Sequence, residues 1–268
     1  MPTIFRVAVN VFRESVRDKV LYNLVLFAVL LIAASVLLGQ LTAGQEVKII
    51  KDLGLAAMSV FGLFIAVFIG IGLVFKEVER RSVYGLLSKP LTRTQFILGK
   101  YVGLVLTLAV NLSIMALALY AVLAWHDWAT DPLPKRAWEA PALDPALLKA
   151  ILLIFVQLLI VTAVALVFST FSSPLLSAAL TFGLFIVGHF NADLRNFEKI
   201  VDSRAVGWLA RALYYLLPNL APFDVKSDVV HAQPVPAGYI GLTIGYGVVY
   251  IGVMLTLAAW IFSRRDFK

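Results

Sequence analysis

Six long apolar runs separated by polar segments set the pattern of this sequence. They predict six transmembrane helices, over residues 20–41, 53–75, 101–125, 150–171, 174–190 and 239–262. A run of about 20 apolar residues is long enough to cross a hydrocarbon core of roughly 30 Å. The fifth run is the shortest, so its helix is expected to tilt little or to extend at one end. The pattern therefore predicts an all-α integral membrane protein, with residues 1–268 in one transmembrane domain.

An amphipathic segment, residues 1–19, precedes the first run. One side is apolar and the other is mostly basic, with Ile4, Phe5, Ala8, Val9, Phe12 and Val16 on the first side and Arg6, Asn10, Arg13 and Arg17 on the second. This pattern is typical of a helix in the membrane interface, with its basic side near anionic headgroups. We therefore expect an N-terminal interfacial helix rather than a soluble tail.

The densest cluster of charge lies between the second and third runs, at residues 75–91. In a helix, one face would hold Glu77, Arg81, Tyr84 and Ser88, and the opposite face Val83, Leu86 and Leu87. Pro90 would end this helix, because it lacks an N–H group and disfavours α geometry in the residue before it. Residues 76–91 are therefore predicted to form a short helix on the membrane surface that presents charge to a soluble partner. On this pattern alone, a solvated loop without a partner is an equal alternative.

Two longer polar excursions separate the later runs. Residues 126–146 contain four prolines and are predicted to be exposed and partly extended. Residues 191–238 form the second excursion, and their apolar stretch 206–217 is too short to span a membrane. A helix lying in the interface, or one that enters the membrane and returns, fits this aromatic-rich stretch better.

Glycine spacing indicates where helices could approach closely. Gly99 and Gly103 form a G-x-x-x-G pair at the start of the third run, although this spacing is weak evidence in a glycine-rich membrane protein. The sixth run carries four further glycines, and these predict tight packing against a neighbour: Gly241, Gly245, Gly247 and Gly252.

The composition strengthens the membrane assignment. The chain is 61% hydrophobic and 15% charged, whereas a soluble domain has about 25% charged residues. A chain of 268 residues can hold about six spanning helices and little else, which leaves no room for a separate catalytic domain. The absence of cysteine excludes disulfides, thiolate metal sites and a cysteine nucleophile. No A-x-A cleavage site follows the first run, so we expect an uncleaved first span rather than a signal peptide.

The basic residues are distributed unevenly between the two sides of the membrane. If the N-terminus is cytoplasmic, the inside segments are 1–19, 76–100, 172–173 and 263–268. They carry 13 of the 23 Lys and Arg residues and five of the 16 acidic residues, so the inside is +8 and the outside −1. The positive-inside rule therefore predicts that both termini and the 76–91 helix are cytoplasmic.

The predicted spans lack the groups that self-powered transport or catalysis would use. No charged residue lies inside them, whereas ion-coupled carriers usually place a titratable group at membrane depth. Four polar candidates remain, and each is better explained as a packing hydrogen-bond group: Asn23, Asn111, Gln157 and His189. The chain has no phosphate-binding loop of the Walker A type, and its three histidines are too scattered to suggest a metal site. We therefore expect no catalytic residue, cofactor or metal in this chain.

Three stretches resemble one known family. Residues 77–100, with the sequence EVERRSVYGLLSKPLTRTQFILGK, are similar to the charged segment of ABC-2 type transporter permeases. Phe168–Pro174 resembles the family's turn between spans four and five, and Tyr215–Leu220 resembles a segment before its last span. The resemblance covers nearly the whole chain and is nearest the NosY-like branch, although Ser82 and Val83 stand where the family often has Gly and Thr.

The resemblance implies a function for the 76–91 segment, which would be the coupling helix that docks in a groove of an ATPase subunit. The residues to which it assigns this role are Glu77, Glu79, Arg80, Arg81, Tyr84, Leu86, Leu87, Ser88, Lys89 and Pro90. ATP and Mg²⁺ would bind two separate ATPase subunits, and a second permease chain, identical or different, would complete the pathway. The implied location is the bacterial cytoplasmic (inner) membrane, with no role for nucleic acid.

Three functions compete on this reading. The first is the permease subunit of an ATP-driven exporter, and the uncharged spans favour an amphiphilic or hydrophobic cargo. The second is a membrane scaffold or assembly protein, whose extracytoplasmic loops would bind an accessory partner. The third, a membrane enzyme, is disfavoured because the spans carry no paired polar residues. Direct passage of copper is also disfavoured, because the four Met and three His are scattered and no Cys is present.

Overall fold

The computed structural model describes residues 2–42, 44–79, 92–135, 138, 140–190, 214 and 217–264. Within these ranges the chain is helical and contains no strand, which confirms the all-α prediction for them. The helices are α1 (Pro2–Val16), α2 (Lys19–Gly39), α3 (Glu46–Glu79), α4 (Arg93–Ala129), α5 (Pro132–Lys135), α6 (Leu147–Phe171), α7 (Pro174–His189), α8 (Lys226–Val230) and α9 (Ala237–Arg264). A short 3-10 turn occupies Ala221–Phe223.

Five of the described helices are long and apolar enough to cross a membrane. They are Lys19–Gly39, Glu46–Gly72 within α3, Arg93–Ala129, Leu147–Phe171 and Ala237–Arg264. The predicted fifth span corresponds to α7, an apolar helix of 16 residues. At 1.5 Å per residue this helix is about 24 Å long, which is shorter than a hydrocarbon core of roughly 30 Å. A multi-pass membrane protein is therefore confirmed, whereas the six-span layout stays a prediction.

The long helices form one bundle in which neighbours along the chain run in opposite directions. α2 packs against α3, α3 against α6, and α6 against α9, while α7 lies against α3 and α6. α1 packs mainly against the first part of α4. We call this end of the bundle the α1 end, and the other the opposite end.

Two helices extend well past the predicted spans. α3 has 34 residues and α4 has 37, instead of the predicted 53–75 and 101–125. The extensions mix charged with apolar residues and contain no proline, so the continuous apolar run ends before the helix does. At about 1.5 Å per residue the two helices are roughly 50 and 55 Å long, so each exceeds the thickness of a hydrocarbon core. Two charged residues that were expected outside the spans, Lys51 and Lys100, are consequently buried inside helices.

α6 lies at the centre of the bundle. In its most apolar stretch 78% of the residues are buried, against 22% in α2 and 17% in α9. A helix that is apolar on all sides is expected to be enclosed, and α3, α4, α7 and α9 surround this one. The outer faces of α2 and α9 instead expose large apolar side chains, such as Leu37 and Leu242. Such faces suit contact with lipid or with another chain.

The opposite end is covered in part by segments that pack against the bundle. α4 continues to Ala129 and Ala142 beyond it is buried, but Trp128 and Leu143 are exposed, so the exposed, partly extended excursion predicted for 126–146 holds only in part. Leu220 and Phe223 are fully buried, so the chain before α9 also folds onto the bundle. Apolar residues spaced among the prolines supply this packing. The helix predicted within 206–217 lies almost wholly outside the described residues.

Candidate coupling region and buried polar groups

The predicted coupling helix lies largely outside the described residues. α3 continues through Glu77 and ends at Glu79, so the segment 76–79 extends a long helix instead of starting a separate one. The other residues assigned to this role are outside the described ranges: Arg80, Arg81, Tyr84, Leu86, Leu87, Ser88, Lys89 and Pro90. The structure does define the two helices that flank residues 80–91, namely α3 and α4.

α4 begins with a capping box directly after that segment. The Thr92 hydroxyl accepts a hydrogen bond from the Gln95 backbone N–H at 3.3 Å, and the Gln95 side-chain oxygen accepts one from the Thr92 N–H at 3.3 Å. These bonds satisfy two N–H groups that the first helical turn would otherwise leave without partners. An N-cap of this kind contributes about 1 kcal/mol, so the first turn of α4 is locally well determined.

Arg93, the first residue of α4, connects this helix to the last turn of α9. Its Nη1 donates to the carbonyl oxygens of Phe262 at 3.1 Å and Ser263 at 2.7 Å. Carbonyls in the last turn of a helix lack intrahelical partners and carry the negative end of the helix dipole, so a guanidinium is well suited to them. A charge-assisted bond of this kind is stronger than a neutral one.

A small apolar cluster supports this connection. The rings of Phe96 and Phe262 stack with centroids 5.6 Å apart, and the buried Lys100 ammonium lies 4.9 Å from the centroid of Phe96. The cluster is separate from the main core and consists of Phe96, Ile97, Val167, Ala258 and Phe262. We call these residues together with Arg93 the α4–α9 joint. Sequence reasoning missed it, because Arg93 and Ser263 are 170 positions apart and no local pattern relates them.

α1 packs against the two glycines near the start of α4. A Cβ atom on Gly99 would lie 2.7 Å from the Cβ of Val7, and one on Gly103 would lie 2.6 Å from the Cβ of Val11 and 2.7 Å from the Ala8 carbonyl oxygen. Both distances are too short for any side chain, so the G-x-x-x-G pair is a genuine helix contact. Matching advances of four residues along both helices show that α1 and this part of α4 run in the same direction.

This contact changes the predicted arrangement of α1. The side that meets α4 carries Val7, Ala8 and Val11, whereas the predicted apolar side included Phe5, which is 65% exposed. At 100° per residue, Phe5 and Phe12 form a second apolar strip beside the one on α4, and the arginines occupy the remaining sector. α1 therefore has three faces, where the sequence analysis distinguished two.

Two lysines and a tyrosine hydroxyl fasten the loops at the opposite end. The Lys51 ammonium, 1% exposed, donates to the Pro141 carbonyl at 2.8 Å and lies 4.0 Å from the Asp144 carboxylate. The Tyr120 hydroxyl donates to the Asp144 carbonyl at 3.1 Å, and Lys149 donates to the Val235 carbonyl at 3.0 Å. These bonds link α3, α4 and α6 to the segments that cover them.

His126 lies at the same end with one ring nitrogen unsatisfied. The ring stacks on Trp138 with centroids 5.9 Å apart, and its Nε2 lies 3.8 Å from the Glu46 carboxylate. Within the described residues, no hydrogen-bond partner reaches this buried nitrogen. The pair joins the end of α4 to the first turn of α3, where an acidic residue favours the helix dipole.

Of the four polar residues predicted inside the spans, Gln157, His189 and Asn111 have partners within the protein, whereas Asn23 lies at an exposed position of α2. The Gln157 amide nitrogen lies 2.8 Å from His189 Nε2, and His189 Nδ1 lies 2.9 Å from the Phe185 carbonyl oxygen. A carbonyl only accepts, so Nδ1 carries the proton and Nε2 accepts from Gln157. Asn111 donates to the Thr107 carbonyl of its own helix at 2.6 Å. Among the described residues no group of three or more His, Cys, Asp or Glu could hold a metal ion.

The glycines of α9 divide into two kinds. A Cβ on Gly247 would lie 2.8 Å from the Val156 side chain, which confirms close packing with α6 at that point. Gly241, Gly245 and Gly252 have no atom of the described chain within 4 Å of such a Cβ. Gly252 belongs instead to a shallow apolar groove on the outer face of α9, whose lining includes Val249 and Trp260.

Comparison with known proteins gives one family match. A family model described as ABC-2 family transporter protein matches residues 6–267, which is nearly the whole chain. The match includes the segment 80–91 and both helices of the α4–α9 joint. The search of curated proteins finds no match for the chain.

Proposed function

Because this chain belongs to the ABC-2 family of transporter proteins and is thus the permease component of an ABC transporter, we propose that it exports an amphiphilic or hydrophobic cargo. Energy would come from ATP and Mg²⁺ bound to two separate ATPase subunits. The observation that carries the proposal is the pair of long helices, α3 and α4, which flank the charged segment 80–91. Each exceeds the length needed to cross the hydrocarbon core, so part of each is available outside it.

The coupling step follows from that arrangement. The end of α3 and segment 80–91 dock together on an ATPase subunit. The docking residues are Glu77, Glu79, Arg80, Arg81, Tyr84, Leu86, Leu87, Ser88, Lys89 and Pro90. Closure of the two ATPase subunits around ATP displaces this segment, and the displacement enters the bundle through the ends of α3 and α4. A rigid-body change of this type lets remote binding energy open and close a pathway.

The membrane arrangement of the complex belongs to the same proposal. The α1 end faces the cytoplasm of a bacterial cell, so both termini and segment 80–91 are on the side where ATP is present. A second permease chain packs about a two-fold axis, and the exposed apolar faces of α2 and α9 provide surface for that contact and for lipid. We also propose that the chain belongs to the NosY-like branch of the family, and that copper itself does not pass through it.

The test is a double substitution in the coupling segment. Arg81→Glu with Leu87→Asp should abolish copurification of ATPase subunits and ATP-dependent transport in reconstituted vesicles, because it reverses one charge and places another on the apolar face. The matched control, Lys226→Glu with Leu143→Asp, makes the same changes at the opposite end, where Leu143 is 47% exposed, and should preserve both activities. Normal association and transport in the Arg81→Glu, Leu87→Asp variant would contradict the proposal.

The scaffold alternative has less support from the described residues. It requires extracytoplasmic loops that are free to bind a partner, but Ala142, Leu220 and Phe223 are buried against the bundle. A pull-down with the opposite end that recovers a stable partner, from a chain that moves no cargo, would favour it.

A further inference from the structure

We infer that the α4–α9 joint makes the last helix a driven element, with Arg93 as the positioning residue that fastens the end of α9 to the start of α4. This inference rests on the proposed coupling function, because it concerns where the motion of segment 80–91 goes next. Arg93 lies two residues beyond that segment and makes its contacts at the far end of the chain. The two helices therefore meet at the place where force would enter.

The bonds at the joint resist separation of the two helix ends. One nitrogen of Arg93 reaches two successive carbonyls, at 3.1 and 2.7 Å, so α9 cannot slide along α4 by a residue without breaking one of them. The capping box at Thr92 and Gln95 fixes the turn from which Arg93 projects. The donor is therefore held from both sides of its backbone.

The stacked rings of Phe96 and Phe262 couple the two helices against movements that the Arg93 bonds do not resist. Phe96 and Phe262 are 15° from parallel, and both are more than nine-tenths buried. Closely packed side chains change between a few discrete arrangements and do not deform continuously. Movement of one of these two rings therefore requires movement of the other. Val167 of α6 also belongs to the cluster. At this end of the bundle, α4, α6 and α9 therefore share a small core that is separate from the main one.

The outer side of α9 leaves room for movement within the described chain. Its outer face is exposed, and a Cβ at Gly241, Gly245 or Gly252 would meet nothing within 4 Å in the described chain. α9 otherwise packs mainly on α6, the enclosed central helix. Movement of the start of α4 thus reaches α9 directly through the Arg93 bonds and the ring of Phe262, while Val167 of α6 packs in the same cluster.

Spin labels can measure whether the two ends move together. The chain has no cysteine, so Thr94→Cys and Ser263→Cys introduce the only two thiols, at exposed side chains, and leave the Ser263 carbonyl in place. Double electron–electron resonance on the chain in nanodiscs should give one narrow distance within each permease chain. With ATPase subunits present, this distance should be the same in the nucleotide-free and ATP-trapped states, and Arg93→Ala should broaden it in every state.

A coupling assay separates transmission from simple stabilisation. In the assembled complex, Arg93→Ala should lower transport per ATP hydrolysed by about tenfold, the factor expected when a charge-assisted bond is lost from one state, while ATP hydrolysis and assembly are kept. Arg93→Lys should recover most of the coupling, because an ammonium can also donate to two carbonyls. Arg264→Ala, which removes an exposed cation 4.3 Å from the Trp260 ring on the same turn of α9, is the control and should leave coupling unchanged.

Three results would overturn the inference. One is wild-type coupling in Arg93→Ala. Another is a label distance that differs between the two nucleotide states of the Thr94→Cys, Ser263→Cys chain with Arg93 intact. The third is an unaltered distance distribution when Arg93→Ala is added to that chain, which needs no ATPase to measure. If the Arg81→Glu, Leu87→Asp variant uncouples transport while Arg93→Ala does not, the joint fails and the proposed function stands. If no ATPase subunit associates with the wild-type chain, the proposed function itself fails.

Discussion

Gln157 and His189 show how single residues in an apolar bundle are satisfied without a ligand. The amide and the imidazole form one bond between α6 and α7, and the remaining ring nitrogen uses a backbone carbonyl. Each polar atom of the ring thus has a partner inside the protein. The sequence predicted packing roles for these residues, but it could not pair them, because 32 positions separate them.

Replacing Gln157 alone should therefore destabilise the protein more than replacing both Gln157 and His189. Gln157→Leu should lower the free energy of unfolding by about 1 kcal/mol, because it leaves the imidazole nitrogen without a donor inside the bundle. Adding His189→Phe should recover part of that loss. Unfolding in mixed micelles, followed by tryptophan fluorescence, measures both variants. Asn23→Leu, at an exposed position of α2, is the control, and a loss no larger than the control's would count against the pairing.

At the scale of elements, helix existence was predictable and helix length was not. The apolar runs located α2, α3, α4, α6, α7 and α9, because burial in a membrane demands about 20 apolar residues per span. The ends of α3 and α4 lack a continuous apolar run. Those helices therefore continue beyond the residues that the sequence predicted for their spans. The α4–α9 joint and the Lys51 contacts depend on residues brought together only by the complete bundle.

The α1–α4 contact gives a direct test of element packing. Gly103→Ala should destabilise the chain by about 1–3 kcal/mol, because the new methyl group would meet the Ala8 carbonyl and the Val11 side chain, and α1 must move away. Gly245→Ala adds the same atom to α9, where nothing lies within 4 Å, and should be neutral or stabilising by up to about 1 kcal/mol in the isolated chain. Thermal unfolding in detergent compares the two. Equal effects would contradict the close approach at Gly103.

At the scale of the whole molecule, the two ends of the bundle are held together by different sets of contacts. The α1 end holds the joint and the flanks of segment 80–91, and the opposite end holds the bonds of Lys51 and Lys149. The two ends therefore differ in chemistry. An arginine bonded to helix carbonyls lies beside stacked rings at one end, and lysines are bonded to loop carbonyls at the other.

The proposed orientation of these ends can be tested by thiol labelling. Thr94→Cys at the α1 end should be protected from an impermeant maleimide in intact cells, because this end is expected to face the cytoplasm. Gln233→Cys at the opposite end should react, because that end is expected to face outward. Both side chains are exposed, and no native cysteine competes. After permeabilisation both should react. Labelling of position 94 in intact cells would reverse the orientation and remove access to ATP.

The enclosure of α6 has a consequence for how such a protein can diversify. Substitutions on α6 must preserve volume on every side, because each of its faces fits against another helix. The outward surfaces of α2 and α9 are under no such steric constraint from the chain itself. Substitutions should therefore be tolerated more readily on the outer faces of these two helices than on the central one.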